Sequence, residues 1–421
     1  MLRDDGRVDA PETCYAWNGD AALAYQVVGS GPVDLVYVPG LYSNVERNWE
    51  DDHYARFLSS LATFTRLIVM DRRGTGMSER LSPRDLPPLE SDVADMLAVM
   101  DAAGSTRAAT LGHSQGGYLS ALFAATYPDR ALAAIIFGGF ARGTWAPDYP
   151  WGLTPDVWDG MIADTRERFA TQELQEEEFA QYAPSLADDD PARRWWTSYW
   201  RSCVTPSGAA TLMRLTADTD VRGILPSIHV PTLVLQRNDD RIVQAGEARD
   251  MANRIPGAKY VELAGQDHCP WFGDQHAVLI EIDRFLSSVA DEEAELDRVL
   301  ATVMFTDIVG STEKAARLGD RQWAKLVERH HATLRSLIAR YRGAEVDTAG
   351  DGFYATFDGP ARAVKCAHAI IEAVQPLGIQ VRAGVHTGEC EWIDNKLGGL
   401  AAVIGARIGA MAGPSEVLTS Q

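Results

Sequence analysis

Between residues 22 and about 290, short runs of aliphatic and β-branched residues alternate with segments of helical period. That alternation restricts the fold more than any other feature of the chain. Five of the runs lie at 34–38, 66–70, 133–137, 232–235 and 259–263. Strands separated by helices assemble mostly in parallel with helices on both faces, which predicts a doubly wound α/β sheet. Residues 141–226 break the rhythm. They hold six of the eleven tryptophans (145, 151, 158, 195, 196 and 200) and the acidic run Glu176-Glu177-Glu178, with no segment resembling a central strand. This stretch reads as a helical cap over the sheet, its tryptophans forming a small core and lining an apolar pocket.

Length and charge set the remaining bounds. With 421 residues, 46% hydrophobic and 23% charged, the chain is globular and long enough for two to four domains. A net charge of −20 argues against a nucleic acid polymer or an anionic lipid surface as partner, but leaves room for a nucleotide held with metal ions. Five scattered cysteines (14, 203, 269, 366 and 390) do not form a disulfide framework and fit a reducing, cytoplasmic setting. The start, Met1-Leu2-Arg3-Asp4-Asp5, lacks the apolar core of a signal peptide. The longest near-apolar run, 131–141, is too short to span a bilayer and reads as a buried strand. The acidic residues 291–299 read as a linker between a unit at 1–290 and a second at 300–421.

Gly112-His113-Ser114-Gln115-Gly116-Gly117 follows the strand-like Ala108-Ala109-Thr110-Leu111 and precedes a helical stretch. A Gly-x-Ser-x-Gly elbow between strand and helix exposes one hydroxyl in a tight turn and aims helix N–H groups at developing negative charge. A serine nucleophile needs a base, and the base an orienting carboxylate. Asp240 and His268 both follow predicted strands, in the order Ser, Asp, His; Asp239 and His276 are the alternative acid and base. On these residues, 20–290 resembles a capped α/β-hydrolase. Asp71-Arg72-Arg73-Gly74-Thr75-Gly76-Met77-Ser78 matches a structural loop of that superfamily. Val38-Pro39-Gly40-Leu41 stands where its His-Gly oxyanion loop is common, with Pro39 in place of His. The resemblance implies Ser114, Asp240 and His268 as catalytic residues, the backbone N–H groups of Leu41 and Gln115 as oxyanion donors, and no cofactor. The implied chemistry is acyl transfer to water from a small ester, with carbon–carbon bond hydrolysis as the alternative use of the same triad.

In the second unit, Val303-Met304-Phe305-Thr306 leads into Asp307-Ile308-Val309-Gly310-Ser311-Thr312. Further on, Ala349-Gly350-Asp351-Gly352-Phe353 reads as a hairpin turn. Two carboxylates on adjacent strands suit Mg²⁺ or Mn²⁺ beside a triphosphate. With Val381-Arg382-Ala383-Gly384-Val385-His386-Thr387-Gly388-Glu389, these motifs resemble a class III nucleotidyl cyclase, and the whole chain resembles bacterial fusions of the two domains. The resemblance implies a ferredoxin-like α+β domain, metals held by Asp307, Ile308 and Asp351, ATP as a substrate, and a head-to-tail homodimer. The sequence departs from that family at two positions. Asp347 stands at the base-reading Lys position, and Val403 replaces the Asn that acts in the transition state, four residues before the retained Arg407. Lys396 falls near the second base-reading position, and the family's last strands would lie beyond Gln421. Valine cannot hydrogen-bond ribose or phosphate, so metal binding with weak or absent cyclisation is expected.

Three readings follow: a serine esterase fused to a degenerate cyclase; an adenylate cyclase regulated by a ligand-sensing hydrolase domain; and a ligand receptor with neither turnover.

Overall fold

The computed structural model describes residues 10–81, 87–296, 298–393 and 396–420, and the chain divides into two compact units, 1–290 and 291–421. The segment read above for a signal peptide, and Gln421, lie outside the described residues. The first unit opens with a hairpin that the spacing of apolar runs passes over, β1 (Cys14–Asn18) and β2 (Ala21–Val28). Then come β3 (Val33–Val38), α1 (Asp52–Leu61), β4 (Thr65–Met70), α2 (Glu90–Ala102), β5 (Ala108–His113), α3 (Gln115–Thr126) and β6 (Ala131–Phe137). Four helices replace strands in the next segment: α4 (Pro155–Arg168), α5 (Gln172–Tyr182), α6 (Asp190–Cys203) and α7 (Pro206–Asp218). The unit continues with β7 (Thr232–Arg237), α8 (Ala245–Arg254), β8 (Lys259–Leu263) and α9 (Gln275–Leu296).

The eight strands form one sheet in the order β1-β2-β4-β3-β5-β6-β7-β8, parallel from β4 onward and antiparallel at the β1–β2 edge. Alternate residues of each strand feed opposite cores, as the strand period requires. Leu35, Tyr37, Leu111 and Ile135 face one side with α1 and α6, while Val36, Val38 and Ile136 face the other with α2, α3 and α8. The chain leaves β3 toward β4 on one side and returns to β5 on the other. The carboxyl ends of β3 and β5 therefore flank a topological switch point, where open α/β sheets hold their ligands. Within the cap, Trp195, Trp196, Tyr199, Trp200 and Cys203 bury one face of α6. Of the other cap tryptophans, Trp151 and Trp158 line a cavity and Trp145 is exposed.

The glycine loop expected to be structural is bound into this frame. Buried Asp71 accepts the Val45 and Met77 N–H groups through Oδ2, at 3.1 and 2.8 Å. Gly76 donates its N–H to the Cys203 carbonyl at the end of α6 (2.8 Å). Burial outweighs these bonds and pushes the Asp71 carboxyl up to about 6.

Of the acidic stretch expected as a linker, residues 291–296 are helical and 298–299 open a strand. Glu- and Ala-rich residues favour helix, and α9 runs on to Leu296 before β9 (Arg298–Ile308) begins. The second unit continues with α10 (Ser311–Leu318), α11 (Asp320–Arg340), β10 (Ala344–Ala349), β11 (Gly352–Phe357), α12 (Pro360–Val374), β12 (Val381–Ile393), β13 (Lys396–Gly398), α13 (Leu400–Met411) and β14 (Val417–Thr419). Its sheet runs β10-β11-β9-β12-β13, antiparallel throughout, with β14 joining β12 in parallel. Leu334, Ile338, Cys366 and Ile370 pack α11 and α12 against Met304, Phe353 and Val381.

Candidate active site

β5 ends at His113 and α3 starts at Gln115, so one residue turns strand into helix. Ser114 does so with φ 54° and ψ −118°, a conformation that costs a non-glycine residue of order 1–3 kcal/mol. Its N–H is tied to the Phe137 carbonyl at the end of β6, and its own carbonyl accepts the Gly117 N–H, both at 2.9 Å. The outer glycines of the motif are sites of close approach. A Cβ on Gly112 would press on the Gly116 carbonyl, and one on Gly116 would lie 2.8 Å from the Pro39 carbonyl and closer still to that of Val38. The elbow therefore seats directly on the loop after β3.

Asp240 follows β7 and His268 follows β8, and the structure brings them into contact. His268 Nδ1 lies 2.8 Å from Asp240 Oδ2, with side-chain exposures of 0% and 1%. The other carboxylate oxygen accepts the N–H groups of Ile242 and Val243, at 2.8 and 3.2 Å. A carboxylate only accepts, so Nδ1 carries the ring proton and Nε2 is left with its lone pair. Nε2 is buried and has no hydrogen-bond partner among the described residues. The His268 ring lies 4.9 Å from that of His113, the neighbour of Ser114. Gly138, one residue past β6, is where backbone, His268 and Asp240 meet, since a Cβ there would lie 3.3–3.5 Å from both side chains. Asp239 and His276, the alternatives, are exposed.

Arg237 carries no signal in the sequence pattern, yet it fixes the histidine loop. Buried at the end of β7, its guanidinium donates to the carbonyls of Asp267 (2.8 Å), Cys269 (2.9 Å) and Phe272 (2.6 Å). The His268 N–H is held in turn by the Tyr182 carbonyl at the end of α5 (2.8 Å).

Ser114, Gln115 and Leu41 line a cavity of about 350 Å³. Thus the hydroxyl and the two expected oxyanion donors share one space, and Gln115, as the first helical residue, has no partner for its N–H within the helix. Cap and loop aromatics make the walls: Tyr42, Trp158, Tyr182 and Trp200. Two carboxyls that the sequence reading passed over also face it, Glu178 of α5 and Glu247 of α8. Burial raises both, Glu178 to about 7 and Glu247 to about 8, with neighbouring acids adding to the shift. The signal for Glu178 lay in helical spacing, four residues after buried Leu174; its place in an acidic run disguised it.

Glu247 gives a test of this electrostatics. Its Oε2 accepts the Gln244 N–H at 2.8 Å, a helix-start contact that glutamine preserves. A folded-state value of about 8 exceeds the unfolded value, so unfolding releases a proton and stability falls as pH rises from about 4.5 toward 8. Glu247→Gln should flatten that decline and stabilise the protein at pH 8 by on the order of 2 kcal/mol. Thermal melts of both proteins at pH 5 and pH 8 check this; equal slopes would contradict it.

In the second unit the two expected metal aspartates converge. Asp307 ends β9, Asp351 sits in the β10–β11 turn, and Asp351 Oδ2 accepts the Ile308 N–H at 3.2 Å. Burial, reinforced by Asp307, raises the Asp351 carboxyl. Arg382, facing Asp307 across the β9–β12 pair, donates to Asp307 Oδ2 from Nε (3.1 Å) and Nη2 (2.6 Å). Oxygen donors of like charge at a strand end suit Mg²⁺ or Mn²⁺, with Arg382 as the competing cation. No group of three or more His, Cys, Asp or Glu side chains with metal-site spacing occurs among the described residues. Asp347 follows a bulge in β10 and is exposed, its Oδ1 accepting the Thr348 N–H at 3.0 Å. Lys396 opens β13, but its side chain lies outside the described residues. Val403 and Arg407 are exposed one turn apart on α13.

A parallel sheet with a strained serine at its switch point, a buried Asp–His pair and a helical cap defines the α/β-hydrolase class. The family model "alpha/beta hydrolase fold" matches residues 35–274, more than half of the chain, and the chain belongs to that family. A model of the adenylate and guanylate cyclase catalytic domain matches residues 294–394. Among curated proteins, the chain is similar to the pimeloyl-[acyl-carrier protein] methyl ester esterase of Vibrio campbellii, 27% identical over 271 residues that make up 62% of this chain and 98% of that protein. The enzyme of that name from Stenotrophomonas maltophilia is 27% identical over 281 residues, 63% of this chain and 96% of that protein. Among solved structures, the enol-lactonase from Burkholderia xenovorans shares the fold at TM-score 0.56 and 23% identity, covering 65% of this chain and all of that one. No helix among the described residues is long and apolar enough to cross a membrane.

Proposed function

We propose that the first unit is a serine carboxylesterase acting on small or apolar carboxylic esters through an acyl-enzyme. The observation that carries this reading is the buried 2.8 Å Asp240–His268 pair, with Nε2 unpartnered among the described residues and the His268 ring 4.9 Å from that of His113, the neighbour of a strained serine that lines a cavity. In the proposed cycle, Nε2 takes the Ser114 proton as Oγ attacks the ester carbonyl, and the Leu41 and Gln115 N–H groups stabilise the oxyanion. His268 then gives that proton to the leaving alkoxide, and the carbon–oxygen bond breaks to leave the acyl-serine. Water, deprotonated by the same nitrogen, releases the acid and restores Ser114. Similarity to proteins named as methyl ester esterases favours ester over carbon–carbon bond hydrolysis. A fluorophosphonate probe should label Ser114 alone, and a panel of p-nitrophenyl esters should be hydrolysed. Wild-type and Ser114→Ala proteins cleaving the panel equally slowly would overturn the reading.

We further propose that the second unit keeps a cation site but cyclises ATP weakly or not at all, in a homodimeric, cytoplasmic protein. Asp307, Ile308 and Asp351 would hold Mg²⁺ or Mn²⁺, which when bound would neutralise the triphosphate and favour the attacking oxygen. Val403 offers nothing to ribose or phosphate, and exposed Asp347 adds negative charge where a base-reading lysine is expected. The second reading, a working cyclase regulated by the hydrolase unit, is favoured by the convergence of the two aspartates. Cyclic AMP formation from ATP and Mn²⁺ separates the two. Little product is expected, and Val403→Asn should raise it; ready turnover abolished by Asp307→Ala and indifferent to Val403→Asn would establish the second reading.

A further inference from the structure

The Ser114 cavity contains an ionisable group that the esterase reading leaves unused. Glu178 is partly buried in its wall, yet its carboxyl has no hydrogen bond or ion pair among the described residues. A carboxylate that lines a cavity without a protein partner is available to a ligand of opposite charge. Its surroundings select the sign of that ligand. The charges acting on Glu178 come from Glu177 on its own helix and Asp164 on α4, both negative. Arg168 is engaged by Asp164, Glu173 and Glu177. Of the two arginines lining the cavity, Arg142 is bound to Asp220 at 2.5 Å and Arg241 is exposed. An anionic substrate group would therefore meet repulsion at Glu178.

Aromatic rings line the same cavity. Burial, and after it the Glu178 charge, holds the hydroxyls of Tyr42 and Tyr182 protonated. Trp200 packs edge-on against each of them, with ring centroids 4.6 Å from Tyr42 and 5.6 Å from Tyr182. Tyr182 also lies 5.4 Å from the His268 ring, so this box adjoins the reacting atoms. A carboxylate and aromatic rings lining one cavity suit an alkylated ammonium: the ring quadrupoles and the anion attract the same charge, and the rings cover its methyl groups.

We propose that the cavity binds esters carrying an alkylated ammonium group, with Glu178 as counter-ion and Tyr42, Tyr182 and Trp200 as the cation box. This rests on the esterase reading for the fate of the ligand, but not for its binding. The probes are trimethylammonioethyl butyrate and its uncharged isostere, 3,3-dimethylbutyl butyrate. Binding is measured by calorimetry on full-length Ser114→Ala protein, where neither is consumed. The cation should bind tighter than the isostere by about tenfold or more, and Glu178→Gln in the same background should abolish that preference. Glutamine is uncharged, similar in size and a good helix former, and a thermal melt checks that the variant folds. Glu178→Asp, which keeps the charge on a shorter arm, should restore part of the preference. Equal affinity for the two ligands, or a preference that survives Glu178→Gln, overturns the proposal. Selective binding of the cation with no hydrolysis of either ester by the wild-type protein would leave this site standing and remove the esterase reading instead.

Discussion

Ser114→Ala is expected to lower kcat/KM for short-chain p-nitrophenyl esters by roughly 10⁴- to 10⁶-fold, the range seen when a triad that acts as one unit loses its nucleophile. The same reasoning fixes the pattern of the companion variants. His268→Ala should cost nearly as much, and the double variant should cost little more than either single one, because Nε2 has no task once Oγ is gone. Asp240→Asn should cost about 10⁴-fold, for a reason visible in the bonding. Asp240 Oδ1 accepts two backbone N–H groups, so the asparagine oxygen can take Oδ1's place while its NH₂ turns toward His268 Nδ1, losing only the 3.4 Å bond that Oδ2 accepts from Gln236 Nε2. An amide donating there forces the proton onto Nε2, the nitrogen that must be free to receive the one from serine. Melting temperatures should stay close to wild type for Ser114→Ala, which separates lost chemistry from lost folding. Additive losses in the double variant, or an Asp240→Asn enzyme of near-normal rate, would remove the triad.

Much of this site is legible along the chain, because its parts stand where local rules apply. The elbow is marked by Gly112 and Gly116, whose missing side chains the turn demands, and Asp240 and His268 each fall in the first loop after a recognisable strand. Side chains whose work depends on distant partners left no such trace. Arg237 reads as the polar end of a strand, but in the structure it gathers four carbonyls from a loop about thirty residues away. Glu178 belongs to an acidic run that suggests solvent, and only the placement of α5 over the cavity turns that carboxyl inward. The β1–β2 hairpin escaped for a different reason: Cys14–Asn18 is an edge strand with a single buried residue, so its sequence lacks an apolar run. At 291–296 the sequence marks a boundary by its charge but not its conformation, since Glu and Ala favour the helix that forms. In the second unit, the motifs single out Asp307 and Asp351, which the fold places near each other; the Arg382 contact to Asp307 emerges only from the pairing of β9 with β12.

The elbow also sets the largest expected effect on stability. Gly116→Ala should destabilise the first unit by about 3 kcal/mol, at the upper end of the usual cost of overpacking. The added methyl would meet the Val38 and Pro39 carbonyls, which are backbone and cannot swing away as a side chain can. Relief requires moving α3 off the loop after β3, and that loop carries Leu41 while α3 begins with Gln115. The strain therefore falls between the two proposed oxyanion donors. In a domain of this size the loss corresponds to a fall of about 10 °C in the melting temperature. Gly160→Ala is the matched control. Gly160 lies inside α4, where a methyl group meets nothing within 4 Å, and alanine there should raise stability by about 0.5–1 kcal/mol. Opposite shifts from the same chemical change would tie the cost to the seat of the elbow rather than to lost glycine flexibility. Gly116→Ala should also lose ester hydrolysis well below its melting transition, because displacement of one donor by about 1 Å is felt in the transition state before the fold gives way. A variant at 116 with wild-type stability and rate would mean that the serine turn does not need the close contact on which the proposed oxyanion site depends.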